Sequence, residues 1–260
     1  MPTRFASSLL LLATVTLASC ATQPASDGGY QRFMQLAGDL QKRGDSNSAA
    51  ALYEKATQQP EAQIEAWLKL GETRLASGDA RGAERAYQQA LELKTDSADA
   101  LLGLGTAQLR QGKLERAVSA LTQAAALSGQ ADAFNRLGIA QILLGHADAA
   151  QTAFGKGLAL APNDLDTRCN LALAYALGDQ SQLALDNIRA VSESPRAQPR
   201  HQRNELLITV LAGREKDVQS MRLEDIPASE RKKLVTEARR IKAIKDPIVQ
   251  ARELGLVDTH

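Results

Sequence analysis

Apolar and polar residues alternate along most of the chain with the period of an amphipathic α-helix. From residue 30 onward, alanine and leucine recur at spacings of three and four. The segments are about 12 to 14 residues long and are separated by glycines and polar turns. Alanine and leucine dominate the composition and β-branched residues are few, which is typical of helices. The pattern therefore predicts an all-α fold built from pairs of helices.

The helix pairs repeat along the sequence with a nearly constant period. Four segments align, beginning at Ala66, Ala100, Ala133 and Thr167, with a further copy upstream and a weaker one, "QRNELLITVLAGREKDVQSM", downstream. One glycine in each copy follows the first helix and recurs every 33 to 35 residues, at Gly44, Gly78, Gly112, Gly145, Gly178 and Gly213. We expect these glycines to adopt the left-handed conformation that ends a helix.

The repeat resembles the tetratricopeptide repeat (TPR). The second copy carries the signature residues Trp67, Leu70, Gly71, Ala83, Tyr87 and Ala90, and the fourth carries Leu137, Gly138, Ala150, Phe154 and Pro162. Thr95 replaces the preferred proline of one loop, and Gly157 replaces a small alanine. The resemblance implies a solenoid in which small residues let two helices approach and larger residues fill the space between them.

We therefore predict an all-α TPR solenoid of about five to six helix-turn-helix repeats over residues 30–226. A C-terminal capping helix and tail follow over residues 227–260, with Ser229 as the expected N-cap of a largely polar helix. The tail from Asp246 is expected to fray or to pack locally.

The N-terminus has the layout of a secretory signal peptide, with one basic residue, a short apolar run and small residues before a cysteine. The end of this run, "LASC", resembles the lipobox of bacterial lipoproteins. The resemblance implies a signal peptide over residues 1–19 and a covalent lipid on Cys20. The segment that follows is rich in Pro, Ser and Gly, which predicts a flexible tether over residues 20–29. By resemblance to enteric lipoproteins, in which Asp at this position favours retention in the inner membrane, Ala at residue 21 favours the periplasmic face of the outer membrane. An ordinary secretory signal with a chance cysteine is the alternative.

Charge and composition exclude several functional classes. The formal net charge is +1, so no overall field attracts nucleic acid, although the basic residues are concentrated beyond residue 195. No phosphate loop, nucleophile elbow or metal motif is present, and His146, His201 and His260 are scattered. Cys169 has no partner after lipidation of Cys20 and is expected to be a buried small apolar residue. We expect a protein that is not an enzyme, with no cofactor beyond the lipid and no small-molecule substrate.

Polar residues of the later repeats indicate a candidate peptide groove. By the TPR resemblance, the second, fifth, sixth, ninth and twelfth positions of each repeat face a bound peptide. Asp132 and Asp166 fall at such positions, as do the predicted groove residues Asn135, Arg136, Asn170, Arg200, Arg203 and Asn204. Asparagine can bond to a peptide backbone and arginine can clamp a carboxylate. Earlier repeats place Leu68, Leu102 and Leu109 there, which predicts an apolar half. An ordinary wet polar surface is the alternative.

A TPR lipoprotein of this size resembles two assembly families. One is the TadD family of the tight-adherence (Flp) pilus, whose last repeat carries an Asn, an apolar run and "AGR". Here these are Asn204, "LLITVL" and Ala212–Arg214. The other is the pilotin of type IV pili, which escorts secretin subunits to the outer membrane. We expect a protein partner, a secretin or another pilus or secretion component. A regulator of a cell-wall enzyme remains a third interpretation.

Overall fold

A computed structural model describes residues 28–221, 223 and 226–254. Over these residues the fold is a TPR solenoid made of α-helices and one short 3₁₀ helix, as the sequence predicts. The first helices of successive repeats are α1 (Gly29–Lys42), α3 (Ile64–Ala76), α5 (Ala98–Arg110), α7 (Ala131–Leu143), α9 (Leu165–Leu177) and α11 (Pro199–Leu211). The second helices are α2 (Ser46–Thr57), α4 (Ala80–Leu93), α6 (Leu114–Ser128), α8 (Ala147–Leu160) and α10 (Ser181–Ser192). The predicted signal peptide and Cys20 lie outside the described residues.

Each helix packs against its neighbours in the chain, so the repeats stack in order. Helices α5 and α6 form one closely packed pair, and α6 then packs on α7 of the following repeat. The first helices also touch one another in sequence, α3 on α5, α5 on α7, α7 on α9 and α9 on α11. A single repeat cannot bury its apolar face alone, so this stacking produces the continuous core.

Small residues on the first helix accept large residues from the second. A Cβ atom added at Gly138 would lie only 2.5 Å from Cε1 of Phe154, whose side chain is fully buried. Gly71 meets the ring of Tyr87 in the same way. The signature residues therefore set the distance between the helices of a pair, as expected from the sequence.

Glycines after most first helices are left-handed as predicted, but one, which does stand at the end of its helix, is not. Gly78 has φ of +84°, and the matching glycines at positions 44, 112, 145 and 213 are also left-handed. The prediction for Gly178 is wrong, because its φ is −90° and Asp179 takes the left-handed place with φ of +57°. Aspartate is one of the few L-residues that adopts this conformation readily.

The sixth repeat is incomplete. The predicted second helix after Gly213 is a 3₁₀ helix, Glu215–Ser220, in a polar segment with few apolar side chains to pack. The long helix α12 (Ala228–Lys242) follows and packs on α11. Among the described residues, the solenoid therefore has five complete helix pairs, one further first helix and a capping helix.

The tail forms a helix that packs back on the solenoid. Helix α13 (Pro247–Glu253) begins at Asp246, whose carboxylate accepts hydrogen bonds from the backbone N–H groups of Ile248 (2.8 Å) and Val249 (3.2 Å). It lies against α7, and Ala251 is completely buried there. Of the two outcomes expected for this segment, local packing is the one observed for residues 246–254.

A polar ladder across the first helices as candidate functional site

The predicted groove residues lie on three consecutive first helices. Asn135 and Arg136 are on α7, Asn170 is on α9, and Arg200, Arg203 and Asn204 are on α11. Because first helices of adjacent repeats run side by side, equivalent positions come together across the repeats. The sequence separation of the bonds described below, 34 to 35 residues, is the repeat length itself.

Asparagine side chains connect the repeats along this surface. The Nδ2 group of Asn170 donates to Oδ1 of Asn135 at 3.1 Å, and that of Asn204 donates to Sγ of Cys169 at 3.0 Å. We use the term inter-repeat ladder for these two bonds together with the contacts of Asp166 described in the next paragraph. An amide offers two donors and an acceptor oxygen with two lone pairs, so one bond leaves capacity for a peptide backbone.

Asp166 joins α9 to α11 through two side chains. Its carboxylate accepts bonds from Nε (3.1 Å) and Nη2 (2.9 Å) of Arg200, the bidentate geometry that orients both groups. It also accepts from His201 at 3.1 Å. The backbone N–H of Gln198 donates to Nδ1 of His201, so Nε2 carries the proton. This cluster therefore connects α9 to α11.

The pKa of Asp166 is the net result of opposing effects. Partial burial raises the pKa, but the hydrogen bonds from Arg200 and then His201 outweigh it. The pKa of the carboxyl group is therefore below its ordinary value. Asp166 is thus an anion at neutral pH and holds Arg200 in place.

Two predicted arginines are already paired with carboxylates of the chain itself. Nε of Arg136 lies 3.1 Å from Asp132 on the same helix, and Nε of Arg203 donates to Oε1 of Glu230 at 2.7 Å. Glu230 belongs to α12, so the capping helix reaches a groove position. The sequence predicted that these arginines could clamp a carboxylate of a bound peptide. In the structure, Arg136 and Arg203 instead bind carboxylates of the same chain.

Cys169 is a buried structural thiol. Its side chain is 3% exposed, and burial raises the pKa of the thiol to about 12 despite the bond from Asn204. A thiol protonated at neutral pH is a poor nucleophile and metal ligand. Cys169 therefore belongs to the core, as its isolation in the sequence indicates.

The apolar half of the groove differs from the expectation at one position. Leu68 and Leu102 are half-buried on α3 and α5. Leu109, however, is 6% exposed and belongs to the central apolar cluster with Ile139 and Ile142. The prediction that Leu109 lines an open groove is wrong, because its side chain is buried in that cluster.

A further polar network was not found from the sequence. Glu84 on α4 is 7% exposed and accepts bonds from Gln111 (2.8 Å), Lys113 (2.6 Å) and Gln108 (3.3 Å) of the next repeat. Burial raises the pKa of Glu84, but the hydrogen bonds from these three donors outweigh that effect, so the net shift is downward. Charged residues on helices usually belong to solvated faces, and only the fold shows that this one crosses a repeat boundary.

Within residues 28–221, 223 and 226–254, no group of three or more His, Cys, Asp or Glu residues is placed to hold a metal ion. No helix among the same residues is long and apolar enough to cross a membrane. The chemistry that the described site offers is hydrogen bonding and charge pairing along a helical surface.

Comparison with known families gives two matches. Residues 33–144 match the middle TPR-like domain of cilia and flagella-associated protein 70, and residues 131–164 match a tetratricopeptide repeat. A comparison with curated protein sequences finds no match.

Several solved structures share the fold. The crystal structure of MamA is 25% identical, with a TM-score of 0.57, and the match covers 66% of this chain and 98% of that one. PilF of Pseudomonas aeruginosa is 16% identical, with a TM-score of 0.61, over 88% of this chain and 98% of that one. YrrB, described as a TPR protein with an unusual peptide-binding site, is 20% identical, with a TM-score of 0.55, over 71% and 90%.

These matches agree with the signature residues and with the stacked helix pairs. TPR solenoids are typical scaffolds for protein–protein interaction and are generally not catalytic. The chain is a tetratricopeptide-repeat protein.

Proposed function

We propose that this chain is a lipid-anchored, non-catalytic scaffold that binds protein partners during assembly of a tight-adherence (Flp-type) pilus or secretion machine. Its place is the periplasmic face of the outer membrane, held by a lipid on Cys20. The observation that carries the proposal is the lipobox-like "LASC" shortly before a TPR solenoid. Asn204, "LLITVL" and Ala212–Arg214 in the last repeat support TadD as the nearest type.

The inter-repeat ladder supplies the binding surface in this proposal. Asn135 and Asn170 keep hydrogen-bonding capacity beyond their mutual contact, and Arg136 is only partly exposed beside Asp132. A protein segment that lies across α7 and α9 meets donors and acceptors spaced by one repeat. We expect a secretin or another component of the machine to provide that segment.

A pilotin is the second candidate, because the pilotin of type IV pili is also a TPR lipoprotein, and the fold that this chain shares with PilF is compatible with it. Deletion of the gene separates the two functions. A pilotin-type escort predicts that heat-resistant secretin multimers disappear or move to the inner membrane. A TadD-type scaffold predicts that the multimers persist while surface pili are lost. If both persist, both pilus functions are wrong, and the regulator of a cell-wall enzyme becomes the working hypothesis.

The lipid anchor has its own test. Cys20→Ala removes the thiol that would carry the lipid, so the protein should leave the membrane fraction or remain uncleaved. Fractionation and the intact mass of the wild-type protein measure this. A wild-type mass without lipid, with membrane pelleting unchanged in the variant, would contradict the anchor.

A further inference from the structure

Part of the candidate groove face is covered by helix α13 of the same chain. Helix α13 packs on α7, and it lies beside Ile142, which occupies the twelfth repeat position, one of the positions expected to face the groove. Pro247 and Ile142 line one small cavity, and a Cβ atom at Gly145 would lie 3.1 Å from Cγ of Pro247. Ala251, 0% exposed, belongs to the same apolar cluster as the α7 isoleucines.

The side chains that α13 turns toward the solenoid form one helical stripe. Pro247 and Ile248 lie near Gly145, Ala251 is buried, and Leu254 packs on the central cluster. Their spacing of one, four and seven positions places them on a single face of a helix. The opposite face is exposed to solvent, and Val249 on it is 42% exposed. The segment therefore has the form of a short amphipathic helix bound in a groove.

Helix α12 makes a second contact with groove positions. Glu230 at its start pairs with Arg203, and Nζ of Lys242 at its end donates to the carbonyl oxygen of Val210 at 3.3 Å. Early residues of α12 meet early residues of α11 and late ones meet late ones, so the two helices run parallel. Second helices of TPR pairs run antiparallel to the first, so α12 does not simply replace the missing helix of the sixth repeat.

The attachment of α13 is weaker than that of α12. Helix α13 has 7 residues and follows a non-helical connection, residues 244–246. Its polar contacts to α12 are the bond from Gln250 to the carbonyl oxygen of Ile241 (3.2 Å) and the exposed Arg240–Glu253 pair. Exposed ion pairs contribute little, and elements with few buried contacts open below the global unfolding free energy.

We propose that α13 is an internal occupant of the groove, a detachable helix that holds the α7 surface until a partner's helix replaces it. The partner segment is then a short amphipathic helix with small and aliphatic residues on one face, like the stripe of α13. This inference rests on the proposed function only in assuming that the groove binds a protein. The occupancy itself is a property of the isolated chain.

Hydrogen exchange of the full chain tests the attachment. Ala251→Glu places a charge in the buried contact, and Val249→Glu on the wet face of the same helix is the matched control. We expect the α13 amides to exchange on the order of tenfold faster in the Ala251 variant, with α7, α9 and α11 unchanged. Unchanged α13 exchange overturns the proposal. So does equal loss of protection in α7 and α9, because α13 would then be an integral part of the fold.

A peptide added in trans tests the surface that α13 leaves. We expect a peptide of residues 244–254 to shift the NMR signals of α7 and Gly145 in the Ala251→Glu protein and not in the Val249→Glu protein. A peptide carrying Ala251→Glu should shift neither. If millimolar peptide causes no shifts in the Ala251→Glu protein, α13 is not an exchangeable occupant. This conclusion does not depend on the phenotype of the gene deletion. If the Ala251→Glu variant does not fold, hydrogen exchange of the wild-type protein tests the same proposal. A detachable α13 requires that its amides exchange faster than those of α9.

Discussion

At the scale of the residue, this fold depends on pairs of one small and one large side chain. Gly138 exists as glycine because Phe154 occupies the place where its Cβ would lie, and Gly71 stands in the same relation to Tyr87. These positions were predictable, since the TPR signature records a packing requirement that every repeat shares. Asp166 with His201 was only half predictable, because a buried histidine contact depends on the fold and not on a motif.

Two glycines of the same repeat test the packing argument. Gly138→Ala should lower the free energy of unfolding by roughly 1–3 kcal/mol, because the added methyl group forces Phe154 to move. Gly155→Ala on α8 has open space around its Cβ and should raise that free energy by roughly 0.5–1 kcal/mol through helix propensity. Urea unfolding of both variants measures the pair, and equal shifts would contradict the account.

The lowered pKa of Asp166 predicts an acid-dependent contribution to stability. A carboxyl group whose folded pKa is below its unfolded value of about 3.9 stabilises the fold above that pH. Its contribution is lost as the pH falls through the folded pKa. Asp166→Asn should therefore be less stable than wild type at pH 7, and the gap should close on acidification. A gap that stays constant in urea titrations from pH 7 downward would show that the charge is irrelevant.

At the scale of the element, helix existence and order followed from the sequence, and helix ends followed less well. The glycine period correctly indicated five of the left-handed turns, but at the fifth repeat it selected Gly178 and not the neighbouring Asp179. The repeat pattern also predicted a second helix after Gly213, where a polar segment forms a 3₁₀ helix instead. At the first place the turn shifts by one residue, and at the second the apolar pattern is weak. In both, tertiary packing and not the repeat pattern determines the local conformation.

Asp179 offers a test of the turn assignment. Asp179→Gly removes the β-carbon from a left-handed residue and should raise the free energy of unfolding by roughly 0.5–1 kcal/mol, after the entropic cost of glycine. Asp179→Ala, which lacks the polar group that eases this conformation, should lower it. Because the φ of Gly178 is negative, Gly178→Ala should not carry the conformational cost of placing alanine at a left-handed position. Thermal unfolding of the two Asp179 variants measures the difference, and the reverse order would refute the assignment.

At the scale of the whole molecule, the sequence indicated the solenoid and the helices that carry the groove. It could not show that Arg203 already binds Glu230 or that α13 lies on α7. Contacts between a tail and a repeat many residues away have no periodic signature, so only the fold shows them. The candidate groove therefore has two parts, an inter-repeat ladder of hydrogen bonds and a surface that α12 and α13 contact.

The central claim is that the groove face binds a component of the assembly machine. Photo-crosslinking in the native host tests it most directly, with a crosslinking amino acid in place of Arg136 on the groove face or of Gln123 on the exposed face of α6. The account predicts a covalent adduct with a secretin or another pilus component from position 136 and none from position 123. Adducts from position 123 alone, or from neither position while pili assemble normally, would contradict it.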